Sequence, residues 1–147
     1  MKKCLSLILI ILTLLGTCVC PISAQSIDSG VAPCYNNTHY TMVDFTIDDS
    51  TGIALIFVEF LGYEGITNVG CVEVKLQKKT WGLFWTDVEN GRNDNTWTTY
   101  FSNYEYYDEI RFQLSSTGTY RALITFTIYG NGGDADVIDF ELEDKYS

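Results

Sequence analysis

"LSSTGTYRALITFTIYG", Leu114 to Gly130, joins a polar turn to a stretch in which every second side chain is apolar. Tyr120, Ala122, Ile124, Phe126 and Ile128 recur with a period of two. Successive residues of an extended chain point to opposite faces, so this spacing predicts a half-buried β-strand. A helix would need apolar residues three and four apart. Glycine-rich and polar residues punctuate both ends: Ser115 to Gly118 before the strand, and Gly130-Asn131-Gly132-Gly133-Asp134 after it.

The same period recurs through the chain. Tyr40–Ile47 places Val43, Phe45 and Ile47 on one face, and Ile53–Leu61 aligns Ala54, Ile56, Val58 and Phe60. The other face of that second run begins apolar too, with Ile53, Leu55 and Phe57, which predicts a central strand partly covered on both sides. Cys71–Lys79 alternates Val72, Val74 and Leu76 with Glu73, Lys75 and Gln77. Further strands are expected over Leu83–Val88, Thr96–Ser102 and Glu109–Leu114, and over a last segment carrying Ile138, Phe140 and Leu142. Seven or eight short strands without a helix predict an all-β fold, an antiparallel immunoglobulin-like β-sandwich. A small closed β-barrel is the alternative, because closure preserves the same alternation.

Gly118-Thr119-Tyr120 has the form of a sandwich corner. In immunoglobulin-like domains a tyrosine near the start of the penultimate strand bonds its hydroxyl to the backbone just upstream. Tyr120 is therefore read as a structural corner, against the plainer reading of an ordinary strand aromatic. Ala122 stands where an antibody domain would carry its second cysteine, so that inter-sheet bridge is not expected.

The first 24 residues read as an export signal. Lys2 and Lys3 precede the apolar run Leu5–Leu15, and Pro21-Ile22-Ser23-Ala24 offers a small residue for cleavage. The run is shorter than the ~20 residues a membrane span needs. The expectation is a secreted protein: residues 1–24 are removed and residues 25–147 form a single domain, with no transmembrane segment after signal removal. Leu15-Gly16-Thr17-Cys18 resembles a lipobox, so lipid anchorage at Cys18 is the alternative, although Thr17 fits poorly just before the cysteine. Without Lys2 and Lys3 the chain has 7 basic and 19 acidic residues, a net charge of −12. That balance excludes nucleic acid, whose backbone contacts need clustered Lys and Arg, and disfavours anionic membrane surfaces.

Cys34 and Cys71 would remain after cleavage, and an even count in an exported chain predicts a disulfide between them. Cys71 shares the outward parity of Glu73 and Lys75, so the bond would staple the N-terminal segment to the sheet. No metal and no cofactor is expected. The sole histidine, His39, has no C-x-x-C partner for zinc. Asp134 and Asp136, and the Asp87–Asn95 loop, supply carboxylates for calcium but lack the EF-hand pattern. Asn36-Asn37-Thr38 matches a glycosylation sequon, to which no role is assigned in a signal of bacterial type.

Catalysis is poorly served. A Ser-His-Asp or Cys-His site needs a histidine beside its nucleophile, and only His39 exists. Paired carboxylates carry no information in so acidic a chain. The aromatic residues are more suggestive, because Trp81, Trp85, Trp97, Tyr100, Phe101, Tyr104, Tyr106 and Tyr107 crowd into one stretch of 27 residues. Some must be core, since Trp97, Thr99 and Phe101 share one face. Trp81, Trp85, Tyr104, Tyr106 and Tyr107 form the candidate binding patch, with the tyrosines expected in a loop. Such rings bind protein surfaces or sugar rings.

The Lys-Lys signal, "VEVKLQKK" followed by a Trp hairpin, and "GTYRALITFTIYGNGG" together resemble a family of small secreted β-sandwich proteins of Gram-positive bacteria, a domain of unknown function. The resemblance implies a sandwich and no catalytic residue. The resulting expectation is a secreted, non-enzymatic domain that acts by surface recognition of a protein or glycan. The first alternative is a carbohydrate-binding module using the Trp/Tyr cluster, and the second is a small secreted hydrolase.

Overall fold

The computed structural model describes residues 35–147. The expected signal segment, Cys18 and Cys34 lie outside the described residues. Eight strands follow in order: β1 (Thr38–Asp48), β2 (Ile53–Gly62), β3 (Thr67–Thr80), β4 (Phe84–Asp87), β5 (Thr96–Phe101), β6 (Glu105–Gln113), β7 (Gly118–Gly130) and β8 (Asp136–Tyr146). A 3-10 turn, Asn93–Asn95, precedes β5.

All pairings are antiparallel and build two sheets, β1-β2-β6 and β4-β3-β7-β8, with β5 also on β3. β4 pairs with Gln77–Thr80 and β5 with Gly70–Lys75, along the same edge of β3. They act as one edge strand interrupted by the loop of residues 88–95. The chain changes sheet between β2 and β3 and again on either side of β6. This is the immunoglobulin-like arrangement that the alternation predicted.

The sheets do not close into a barrel, so that alternative is corrected. Where β1 and β8 approach, the Ile47 amide donates to Asp144 Oδ2 at 2.7 Å. A carboxylate satisfies the edge amide at a place where closure would require a strand ladder.

The core lies between the inward rows. Ala54, Ile56, Val58 and Phe60 of β2 face Val72, Val74 and Leu76 of β3 and Ala122, Ile124, Phe126 and Ile128 of β7, all fully buried. Each large apolar side chain so buried contributes roughly 1.5–3 kcal/mol. Gly70 occupies an inward position of β3 because the Phe101 ring and Ile128 fill the space that its side chain would need.

β6 differs from expectation. It begins at Glu105, four residues before the predicted strand, so Tyr106 and Tyr107 are strand residues with register Phe60↔Tyr106 and Glu59↔Tyr107. The alternation was masked because Asp108 occupies an inward position. It survives there on an open edge, where its carboxylate accepts the Tyr106 hydroxyl at 3.0 Å.

Tyr120 is 1% exposed, and its hydroxyl donates to the Ser116 carbonyl at 2.6 Å. Lys78, its Cα partner on β3, donates to Ser116 Oγ at 2.6 Å and lies 5.5 Å from the ring centroid. Tyr120→Phe removes one buried hydrogen bond and leaves a carbonyl without its donor. Chemical denaturation is expected to report a loss of about 1 kcal/mol or more with an unchanged m-value; equal stability would show that the hydroxyl holds nothing.

Candidate functional site

The five residues of the sequence-level patch do not meet on one surface. Phe101 of β5 pairs with Gly70 and Trp85 of β4 pairs with Lys79, at opposite ends of β3. Nine residues of strand separate these positions, or about 30 Å at the usual rise. The tyrosines gather at one end of the sandwich and the tryptophans at the other.

At the tyrosine end, the period of two divides neighbours. Tyr106 points inward, its ring parallel to Phe101 at a centroid distance of 4.6 Å. Burial raises its pKa to about 12, helped by the hydrogen bond to Asp108 and that carboxylate's charge. Tyr104 is half-buried in the turn after β5, where its carbonyl accepts the Gly62 amide at 2.6 Å. Tyr107 points outward and is 78% exposed. Beside it, across the outer face of the three-stranded sheet, lies a groove of about 520 Å³. Phe57 and Leu61 supply its apolar floor, and Glu59, Glu105 and Asn103 its polar groups. The outer row Ile53, Leu55 and Phe57 continues this surface along β2 and is half-buried.

This groove can hold an apolar face against Phe57 and Tyr107 while offering carboxylate acceptors and one side-chain amide. Tyr40 adds a phenol on the neighbouring strand. Its pKa is raised chiefly by a hydrogen bond with Glu59, and by partial desolvation and that carboxylate's charge. The sequence singled out Tyr107 but not Phe57, Leu61 or Glu59. Their signal was the apolar start of the outer face of β2, which the period-two reading assigned to coverage.

At the tryptophan end, Trp85 is engaged within the protein. The Arg121 guanidinium lies 4.4 Å from its ring centroid and Lys79 Nζ lies 5.1 Å away. Arg121 is itself fixed by Gln77 Oε1 at 2.8 Å and Glu141 Oε1 at 2.6 Å. Trp81 stands at the tip of the β3–β4 hairpin, almost wholly in solvent.

Other candidate groups have internal partners. His39 stacks on Tyr63 at 5.5 Å between centroids. The buried Asp136 carboxylate accepts the Asn36 and Asn37 amides at 2.9 and 2.7 Å, tying the start of β1 to the start of β8. Asp87 accepts from Gln77 at 2.7 Å and pairs with Lys75 at 3.4 Å. Among the described residues, no three His, Cys, Asp or Glu side chains gather as a metal site. Cys71 lies half-buried on the outer face of β3, where desolvation and Glu73 raise the pKa of its sulfur whenever it is unpaired.

No protein family matches the sequence, and no curated protein matches it. A crystal structure of the "Putative ApaA Protein" from Bordetella pertussis is distantly similar in structure. The identity is 11% and the TM-score 0.37, over 76% of this chain and 95% of that one. A likeness this slight carries no argument about function.

The Tyr106 environment has a measurable consequence. Its folded pKa of about 12 lies above the ordinary 10.0, so from pH 10 upward the unfolded chain releases a proton that the folded chain keeps. Folding stability is full below pH 10 and falls between pH 10 and about 12. Comparing pH-dependent denaturation with that of Tyr106→Phe, which cannot titrate, should show a smaller loss in the variant across this window. Parallel curves would place the phenol in an ordinary environment.

Proposed function

We propose that the protein is an exported, non-enzymatic recognition domain and that the groove beside Tyr107 is its binding surface. The observation that carries this reading is an apolar strip left on the outer face of a sheet, with a ring 78% exposed above it and carboxylates at its rim. A protein loop satisfies these groups by laying an apolar side chain on Phe57 and Leu61 and donating to Glu59 and Glu105. Aromatic residues suit such surfaces because they add contact area at small entropic cost. A second reading, recognition of a saccharide, is favoured by the close placement of the Tyr107 ring with Glu59, Glu105 and the Asn103 amide.

Export rests on the Lys2-Lys3 and Leu5–Leu15 pattern, and secretion is preferred to lipid attachment at Cys18. Membership of a family of small secreted sandwich proteins of Gram-positive bacteria belongs to the same proposal, as does the Cys34–Cys71 bridge. The outward position of Cys71 supports that bridge.

Three measurements test this account. Tyr107→Ala and Glu59→Gln alter the groove without touching the buried core. Binding of labelled protein to whole cells is expected to fall roughly tenfold with Tyr107→Ala, the loss of one well-placed aromatic contact. Binding to a glycan array that is lost in the same variant assigns the groove to saccharides. Cell binding that neither substitution changes removes the groove from the function. Separately, the intact mass of the exported protein is expected to correspond to cleavage after Ala24 and the loss of two hydrogens. An added lipid mass would place the anchor on Cys18 instead.

A further inference from the structure

The β3–β4 hairpin extends beyond the sandwich. The last β3–β7 pair is Lys78↔Tyr120, and after it β3 pairs only with β4. At the free tip Trp81 is 90% exposed, Leu83 75% and Phe84 67%. None of these three large apolar side chains folds back onto the protein. Contiguous exposed apolar groups of this kind mark interaction sites.

The tip also breaks a local rule. Trp81 and Gly82 have φ values of 57° and 71°, and the Leu83 amide donates to the Thr80 carbonyl at 3.1 Å, as in a type I′ turn. The first central position of such a turn calls for Asn, Asp or Gly, and a bulky aromatic is an outlier in the left-handed region. Since the Trp81 ring lies in solvent, no internal packing offsets the strain. Such residues are retained where function requires them.

We propose that this tip inserts into the interfacial layer of a lipid bilayer whose surface carries little net charge. Trp, Leu and Phe on one projecting turn are the side chains that partition there. From Val74 to Thr86 the chain carries Lys75, Lys78 and Lys79 and no acid, although it has 19 acidic residues in all. Lys78 and Lys79 flank the base of the tip. Lys78 lies on the side of Ser116, and Lys79 lies beside Trp85. On insertion their aliphatic stems can follow the tip while their ammonium groups exchange the exposed contacts with Ser116 Oγ and the Trp85 ring for lipid phosphates. Leu83 and Phe84 bring no hydrogen-bonding group, which makes a saccharide a poor occupant. The net charge of −10 sets the body of the protein against a strongly anionic surface, hence the restriction to weakly charged bilayers.

The test is sedimentation of the exported protein with phosphatidylcholine vesicles, read together with tryptophan emission and its quenching by brominated lipid. The protein is expected to sediment with the vesicles, with emission shifted to shorter wavelength. Trp81→Asn places the preferred residue in the turn, so the melting temperature should hold or rise while vesicle affinity falls roughly tenfold or more. Leu83→Ser should weaken binding in the same direction. Tyr107→Ala, in the groove at the other end, should leave it unchanged, which separates this result from the fate of the groove. Absence of sedimentation, or a folded Trp81→Asn that binds as well as the parent, overturns the proposal. A tip that engages only a protein, with vesicles ignored, overturns it equally.

Discussion

A file of aromatic rings across the interior fixes most of this structure. Tyr106 of β6 lies parallel to Phe101 of β5, whose ring is 5.2 Å from that of Phe60 on β2. Phe60 in turn lies 6.5 Å from Phe126 of β7, which meets Phe140 of β8 edge-on at 6.2 Å. The first three links alternate between the sheets, so the file sets both the spacing of the sheets and their register. Tilted and edge-on pairs add about 0.5–1.5 kcal/mol each beyond the area they bury. The file passes only because Gly70 has no side chain. It also decides the outer surface: with Tyr106 held inward by Phe101, Tyr107 must face out beside Glu59.

The two ends of the sandwich use aromatic residues differently. At the Tyr106 end, one ring anchors the core and its neighbour forms a groove wall. At the hairpin end, Trp85 is held beneath Arg121 and Lys79, which stiffens β4 where only four residues pair with β3. Surface ion pairs such as Arg121–Glu141 contribute only about 0–1 kcal/mol. The value of Arg121 therefore lies less in its charge pairing than in orienting a guanidinium over the indole. The scarce cations of this acidic protein are concentrated where they support a projecting hairpin.

The inward rows of β1, β2, β3 and β7 were legible because burial on one face writes itself into the sequence at every second residue. Alternation alone places Ile56 and Val74 in the core, gives Cys71 its outward parity, and divides Trp97 and Phe101 from Tyr100. The start of β6 was hidden because Asp108 tolerates an inward position beside an open edge. The binding patch misled for a different reason. Trp85 and Tyr104 are 19 residues apart in sequence, yet β4 and β5 run the whole length of β3 between them. Crowding in sequence says little about crowding in space when the intervening chain is extended. Phe57 and Leu61 were visible as apolar residues, but only the absence of a covering element among the described residues makes them a surface.

The carboxylates follow the same logic. Nineteen acids could suggest acid–base chemistry, yet several of them complete the backbone where ladders end. Asp136 accepts two amides of the entering chain, and Asp144 accepts the Ile47 amide at the sheet edge. Asp48 accepts from Ser50 Oγ, Thr51 Oγ1 and the Ser50 amide in the β1–β2 turn, and these bonds lower its pKa to about 2. A carboxylate so held is a poor proton shuttle at neutral pH, because its basicity is spent on fixed donors. Glu59 and Glu105 differ in lining an open groove together with the exposed Tyr107 ring. Acidity in this chain therefore divides into groups that finish strands and groups that face outward beside the groove.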